Sequence, residues 1–354
     1  MTSPEARSIV AQLKRLLGRC PRSWLDQPAV HFELGRTYAL LGEEYFTDAY
    51  RFYRAAVAAE DESGRLPVAA IEQLANIESR LGEHHNAPDQ VDRAIQRLQD
   101  LDQIVDGNGH ALSEASETKR AKANVERQSL IGSAYKRKAA IYARRILSSE
   151  KKPSQESTRG IAAALSKAVA AYERASAASQ EDRLDPDPYP MLNGLALRTI
   201  EGDYPDGVAE CIACAERANE RFGESPDVWH AVMAAEAHLV EALCSGAWSG
   251  DDAAAEKAFE QVQGCYASAL ANMQLAPKDL DSIARQLCLL ALFFDAKGAT
   301  RTQAARARAD GMTAQRLRRL ADKILPGSCK APRDGPAAAG AKAKPQSKPK
   351  RRRR

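Results

Sequence analysis

Basic side chains at helical spacing are the residues of this 354-residue chain that point most directly to chemistry. Arg36, Arg80, Lys136, Arg137 and Arg198 recur on comparable faces of successive helix-forming segments. A guanidinium presents a planar fork of donors that matches carboxylate and phosphate oxygens, and an ammonium adds a point charge. Ser133, Tyr189 and Asn193 supply hydroxyl and amide groups able to orient such an anion, and Trp229 supplies an aromatic face. These nine residues form the candidate ligand-binding set. Covalent and hydrolytic chemistry have no comparable set. No G-x-S-x-G, Walker A loop or H-E-x-x-H occurs, and Gly107-x-Gly109 lacks the third glycine of a dinucleotide loop. The histidines (His31, His84, His85, His110, His230, His238) show no metal-ligand spacing. Cys211-x-x-Cys214 falls inside a helix on an apolar stripe with Val208, Ile212, Ala215 and Phe222, where a thiol is structural, and not at the helix N-terminus that a redox pair needs. The expectation is a non-enzymatic protein with no metal and no resident cofactor.

The elements that must position these residues are helices almost throughout. Ser3, Pro4 and Glu5 read as the cap and first turn of a helix whose apolar face is Ile9, Leu13, Leu16 and Leu17, stopped at Gly18. No strand or Asn-Gly hairpin signal appears, and aromatics are only 6%, which argues against a sheet protein. An internal repeat runs through the chain. His31-x2-Leu34-Gly35-x2-Tyr38 is followed by Ala49-x3-Tyr53, and Ile71-x2-Leu74-Ala75 by Ala94-x3-Leu98. Gln128-x2-Ile131-Gly132-x2-Tyr135 is followed by Ala168-x3-Tyr172, Tyr189-x2-Leu192-Asn193 by Ala209-x3-Ala213, and Trp229-x2-Val232 by Ala255-x3-Phe259. This is the tetratricopeptide pattern, in which a small residue lets the two helices of a hairpin approach. The intervals between repeats exceed the usual 34 residues, so extra residues near 106–118, 150–158 and 246–252 must form loops or helix extensions. Two further helices, near 277–296 and 302–325, suit a terminal cap, the second with Leu317, Leu320 and Leu325 inward and an arginine-rich outer face. The fold class is therefore an all-α, tetratricopeptide-like superhelix. Its expected divisions are 1–119 (N-terminal repeats), 120–276 (a divergent core), 277–329 (capping helices) and 330–354 (a disordered basic tail).

A superhelix of hairpins has a concave face lined by the first helix of each pair. One step round from the packing positions, the stripe reads Phe32, Arg36, Ala39, then Glu72, Asn76, Ser79, then Ser133 and Lys136, then Pro190, Gly194, Leu197, then His230, Ala234, Ala237. Arg80, Arg137, Arg198 and His238 border it. Five basic residues against Glu72 make this groove positive, although the same pattern also describes ordinary surface charges with partners elsewhere. Asp187, Pro188 and Pro190 suit a helix start. Asn193, at a small-residue position, either pins an interhelical contact or helps hold a ligand, and Trp229 fits a core as well as a stacking platform.

The positive charge of the chain is concentrated at its end. The whole chain carries +4, but residues 330–354 hold ten basic residues and one acid, a net +9, which leaves −5 on residues 1–329. Alanine, proline and glycine make up most of the remaining tail, so it has nothing with which to form a core. A tail of this kind either contacts a polyanion, nucleic acid first, or is merely solvated. The longest strongly apolar run, Leu287 to Phe294, is too short to span a membrane, and no secretory signal is visible at the start. Seven dispersed cysteines fit free thiols in a reducing, cytoplasmic setting.

Beyond the repeats, three runs carry a more specific likeness: Glu126-Arg-Gln-Ser-Leu-Ile-Gly-Ser-Ala-Tyr-Lys-Arg137, Asp187-Pro-Tyr-Pro-Met-Leu-Asn193, and Asp227-Val-Trp229 with Glu236. Their order over about 120–260 resembles the divergent tetratricopeptide sensor domain of bacterial conflict systems, also called the TRAFs-binding domain in apoptosis signal-regulating kinases. That resemblance implies a sensor of a signal, including a nucleotide-derived one, or a regulator of an effector such as a CHAT protease, a TIR domain or a trypsin-like protease. The chain carries no recognisable effector, so the resemblance implies either a stand-alone partner or an effector on a separate chain. Two other readings come from the residues alone: a peptide-binding adaptor that clamps an acidic segment or a C-terminal carboxylate, and a nucleic-acid-associated protein acting through its tail. Deleting residues 331–354 is expected to abolish any DNA or RNA binding together with its steep salt dependence, measured by titration at two salt concentrations. Unchanged affinity in the truncated protein would place the polyanion site elsewhere.

Overall fold

A computed structural model describes residues 4–59, 68–107, 117–149, 153–181, 187–202, 207–224, 228–271, 273 and 277–329. Ser3, Asp227 and the basic tail lie outside the described residues. Among those described there are α-helices and one 3₁₀ turn, with no strand. Helix α1 (Pro4–Leu17) and the single turn α2 (Arg22–Leu25) precede five hairpins. These are α3 (Pro28–Leu40) with α4 (Phe46–Ala58), α5 (Val68–His84) with α6 (Pro88–Gly107), and α7 (Glu117–Leu147) with α8 (Gln155–Glu181). Then come α9 (Pro188–Glu201) with α10 (Gly207–Glu224), and α11 (Val228–Cys244) with α12 (Ala253–Ala271). A sixth pair, α13 (Pro277–Thr300) and α14 (Ala304–Ile324), follows. The 3₁₀ turn, Glu43–Tyr45, joins α3 to α4. The all-α, tetratricopeptide-like solenoid read from the repeat is the fold. Its excess length is carried mainly by the 31 residues of α7 and 27 of α8, with a loop at 245–252.

Within each hairpin the small residue of the pattern sits under a large one. A Cβ on Gly35 would lie 2.7–2.9 Å from the Tyr53 ring, and a Cβ on Gly132 3.0 Å from Tyr172. Both tyrosines are fully buried, so these two hairpins close only because the facing residue has no side chain. First helices stack on each other at two places, α5 on α7 and α9 on α11, and α12 touches α14 at the other end of the array. These first-helix contacts, with α13 against α7 and α9, mark the inner side of the array. Asp187 caps α9 by accepting the Tyr189 N–H at 3.1 Å, and Gly202, left-handed at φ 103°, ends it.

Helix α13 is not a simple end cap. It folds back against the inner helices α7 and α9 as well as pairing with α14. The Lys297 ammonium donates to the Ile200 carbonyl and, at 3.5 Å, to that of Thr199, so a cation from α13 meets the C-terminal carbonyls of α9. In α14, Leu317 and Leu320 face inward as expected. Arg316 joins them, 4% exposed, donating to the carbonyls of Trp248 (2.7 Å) and Gly250 (2.6 Å), so the arginine-rich face is not wholly external.

Two apolar stripes are rotated from their expected positions. In α1 the buried side is Ala6 and Val10, continued by the half-buried Leu13 and Leu17, while Ile9 and Leu16 stay exposed. In α10 it is Cys211, Cys214, Ala215 and Ala218, with Ile212 exposed. Where a helix offers more large apolar residues than one face holds, small alanines and cysteines set the direction, because they admit the closest neighbour. The expectation of seven free thiols is also corrected. Cys288 of α13 and Cys329 form a disulfide, with Cα atoms 5.4 Å apart, while Cys20, Cys211, Cys214, Cys244 and Cys265 are free. Spacing along helices does not reveal a pair 41 residues apart that the chain reversal after α14 brings together.

The buried residues form two clusters. A small one joins Val10, Tyr38, Phe46, Ala49 and Tyr53 to Leu74, Ile77 and Leu81 of α5. The large one runs from Ala75 to Ala321. Gly35→Ala is therefore expected to cost about 1–3 kcal/mol by overpacking against Tyr53. Hydrogen exchange should show faster opening of α3 and α4 with α7 and α8 still protected. Uniform loss of protection would show that the two clusters unfold as one.

Candidate functional site

One turn of α7 aims Ser133, Lys136 and Arg137 to the inner side, since residues three and four apart share a helix face. Ser133 is hydrogen-bonded to the Tyr172 hydroxyl at 2.9 Å and lies 3.4 Å from that of Tyr189. Tyr172 and Tyr189 meet edge to face with centroids 6.2 Å apart. The Tyr189 hydroxyl is pushed up to about 12, first by the neighbouring Tyr172 and then by burial. Lys136, 6% exposed, donates to Asn193 Oδ1 at 2.7 Å and to Gln286 Oε1 at 2.9 Å, and its ammonium lies 5.7 Å from the Tyr172 ring centroid. Asn193 also donates to the Tyr189 carbonyl (2.9 Å), and Gln286 donates back to Asn193 (3.2 Å). Lys136 is thus a buried tie between α7, α9 and α13, which corrects its expectation as an exposed groove charge. The reason is α13, which covers this part of the inner face. Burial pushes the Lys136 ammonium down. Glu236 of α11 sits within electrostatic reach, and burial pushes its carboxyl up to about 7 against the opposing pull of Lys136.

Arg137 and Arg80 stand beside this tie. Arg137 donates to Ser79 Oγ at 3.0 Å and lies 3.9 Å from Glu83. Arg80 stacks over Phe46, 5.4 Å from the ring centroid, and among the described residues no carboxylate lies within ion-pair distance of it. Its guanidinium is held down to about 10, mainly by desolvation and then by the charges of Arg137 and Arg285, with Tyr189 and Glu43 acting the other way. Arg80 nevertheless keeps an exposed surface, and Tyr189 is 36% exposed. Both residues therefore meet water beside the buried Lys136 contacts. Within electrostatic reach of Arg80, Arg285 of α13 pairs with Glu43 of the 3₁₀ turn and with Asp281 at 2.7 Å. This ion pair joins the first hairpin to α13 over 242 residues of sequence.

The candidate set is therefore divided. Arg80, Ser133, Lys136, Arg137, Tyr189 and Asn193 lie in one cluster of contacts and facing charges between α5, α7 and α9. Arg36 is exposed and paired with Glu33 on its own helix at 3.4 Å. Arg198 acts electrostatically on Cys244. Trp229 is 43% exposed at the start of α11, and the core tryptophan is Trp248. Glu72, Leu197 and Ala237, read as groove-lining, are buried. Glu72 instead meets Arg127, which is 1% exposed and donates to Glu72 (3.1 Å) and Asp102 (2.8 Å); Gln128 links Asp102 (2.7 Å) to Arg174 (3.0 Å). Arg127 was legible as an interruption of the apolar stripe Arg127, Ile131, Ala134. Nothing local marks Glu43, Arg285 or Gln286, because their roles depend on where α13 docks. Cys211, hydrogen-bonded to Cys244 and desolvated, is held far above an ordinary thiol, in keeping with a structural cysteine. Among the described residues no group of three potential ligands is placed to hold a metal, and no helix is long and apolar enough to cross a membrane.

Residues 45–198 match the family described as Tetratricopeptide Repeats-Sensor. This segment is a tetratricopeptide-repeat sensor domain. It begins in the 3₁₀ turn and ends in α9, earlier at both ends than the likeness read over 120–260, and it includes all six residues of the cluster. Glu43 and α13 fall outside it. No curated protein and no solved structure matches the chain.

Lys136→Met keeps the packing but leaves Asn193 and Gln286 without their shared donor. It is expected to lower stability by about 1–3 kcal/mol in denaturant unfolding, and an unchanged midpoint would mean the tie is idle. Glu236 binds its proton more firmly folded than unfolded. Its contribution to stability is full below the ordinary carboxyl range and is lost as pH rises through about 7. Glu236→Gln should flatten that fall between pH 5 and 8.

Proposed function

We propose that this repeat scaffold is a non-enzymatic sensor, that the cluster around Arg80, Lys136 and Tyr189 forms a chamber open to solvent, and that it holds an anionic group between Arg80 and Arg137 whose occupancy regulates a partner effector. The observation that carries this reading is Arg80. It is a desolvated guanidinium beside two others, with an aromatic ring beneath it and no carboxylate of its own among the described residues. An arriving phosphate or carboxylate would relieve the mutual repulsion and accept charge-assisted hydrogen bonds. The sensor domain supports sensing or regulation as the role. The bacterial conflict-system setting and an effector of the CHAT, TIR or trypsin-like kind extend it by the family resemblance. The site is compact, because α13 against α7 and α9 takes the inner face along which an extended peptide would lie. This favours a nucleotide-sized anion over the adaptor reading.

The test uses ADP, inorganic pyrophosphate and an acidic C-terminal peptide as probes, titrated by calorimetry into the full chain. Arg80→Gln and Arg137→Gln are each expected to weaken binding of the competent probe by roughly 10- to 150-fold, the equivalent of one charge-assisted hydrogen bond. Because Arg80 has an exposed surface and no ion-pair partner among the described residues, Arg80→Gln should leave the melting temperature within a degree or two. Retained affinity in both variants, or no binding of any probe to the native protein, would refute the chamber as the sensing site.

A further inference from the structure

A separate cleft opens between α4, α5 and α6, about 200° around α5 from Arg80, since Glu78 precedes it by two residues. Its volume is about 380 Å³, within the range of about 300–1,000 Å³ usual for small-molecule sites. Tyr50, Arg54, Val57 and Ala58 line one wall from a single face of α4, with Leu74 and Glu78 from α5 and Arg93 and Arg97 from α6. Glu78 is buried, 3% exposed. It is the only carboxylate among the described lining residues, which also include three guanidiniums. Arg93 and Arg97 reach it at 3.5 and 3.4 Å, both long for charge-assisted contacts. Arg97 Nε is buried with no acceptor, and Arg54 has no carboxylate within ion-pair distance among the described residues.

A buried N–H without an acceptor carries a desolvation cost that a bound oxygen would remove. Among the described lining residues, three guanidiniums and one carboxylate give a charge of +2, the complement of a phosphate monoester, whose charge at neutral pH is about −1.5 to −2. Tyr50, Val57 and Leu74 offer an aromatic and apolar wall beside that charge. We propose that the cleft between α4, α5 and α6 is a second binding site, for a small phosphate monoester with an aromatic or apolar body, held by Arg54 and Arg97 at its phosphate and by Tyr50 and Leu74 along its body. This site is independent of the chamber, and neither depends on the other being correct.

Phenyl phosphate, inorganic phosphate and phenylacetate are the probes, titrated by calorimetry into the full chain at fixed salt. Phenyl phosphate is expected to bind at least about tenfold more tightly than either of the others. Arg54→Gln, at an exposed side chain without an ion-pair partner among the described residues, should weaken phenyl phosphate by about tenfold or more without altering the fold, in line with one lost charge-assisted contact. Glu78→Gln removes the carboxylate that competes for Arg93 and Arg97 and should tighten binding. Arg80→Gln, in the chamber, should leave phenyl phosphate affinity unchanged. The proposal is overturned if phenyl phosphate binds no better than the other two probes, if Arg54→Gln has no effect, if Glu78→Gln weakens binding in a folded protein, or if Arg80→Gln abolishes it.

Discussion

Lys136 brings an ammonium to a place that water scarcely reaches, and the architecture around it follows from satisfying that charge. A buried cation costs several kcal/mol unless hydrogen bonds replace its hydration. Here the acceptors are Asn193 of α9 and Gln286 of α13, and both are held in turn, Asn193 through the Tyr189 carbonyl and Gln286 through Asn193. The three helices can shift relative to one another only by breaking this set. Because Ser133 and Arg137 share a face with Lys136, the same docking fixes the tyrosine pair and the open guanidiniums beside them.

Closure by α13 also alters the mechanics of the solenoid. A repeat array normally transmits strain only between neighbours, each hairpin covering the face of the last. In this protein α13 returns to α7 and α9, and Arg285 reaches Glu43 at the other end of the described array. The two clusters of buried residues meet at α5, where Leu74, Ile77 and Leu81 serve the first and Ala75 the second. The first hairpin is thus joined to the rest by a small apolar contact on one side and by an ion pair on the other.

The fold was legible in the sequence to the extent that its rules are local. The pairing of Gly35 with Tyr53 and of Gly132 with Tyr172 is written in the repeat, and the caps of α9 are written in Asp187 and Gly202. The site was legible only in part. Ser133, Lys136, Arg137, Tyr189 and Asn193 stood out by motif and face, but periodicity gives the direction of a side chain and not what covers it. Whether Lys136 meets solvent or Gln286 depends on a helix some 150 residues later. The same limit hid the Cys288–Cys329 disulfide, and it set Arg36 and Arg198 apart from the cations they were grouped with. In α1 and α10 the stripe was misdirected for another reason: side-chain size misleads when alanine and cysteine mark the tightest contact.

The closing ion pair is the least costly element of this design to exchange. Arg285 and Glu43 are each roughly half exposed, and a pair of that kind contributes only about 0–1 kcal/mol. Arg285 already has a second partner in Asp281 on its own helix, so release from Glu43 does not leave its charge alone. Glu43 and Arg285 both act on Arg80, with opposite sign. Any anion that settles beside Arg80 therefore repels Glu43 and attracts Arg285, and so pulls the two halves of the pair apart electrostatically. The buried Lys136 tie would hold α13 in place through that exchange, since its acceptors are unaffected. The element left free to respond is the first hairpin, which has the smaller cluster of buried residues. Under the proposed sensing role, a charge held beside Arg80 would therefore act first on α3 and α4, outside the core that α7, α9 and α13 make together.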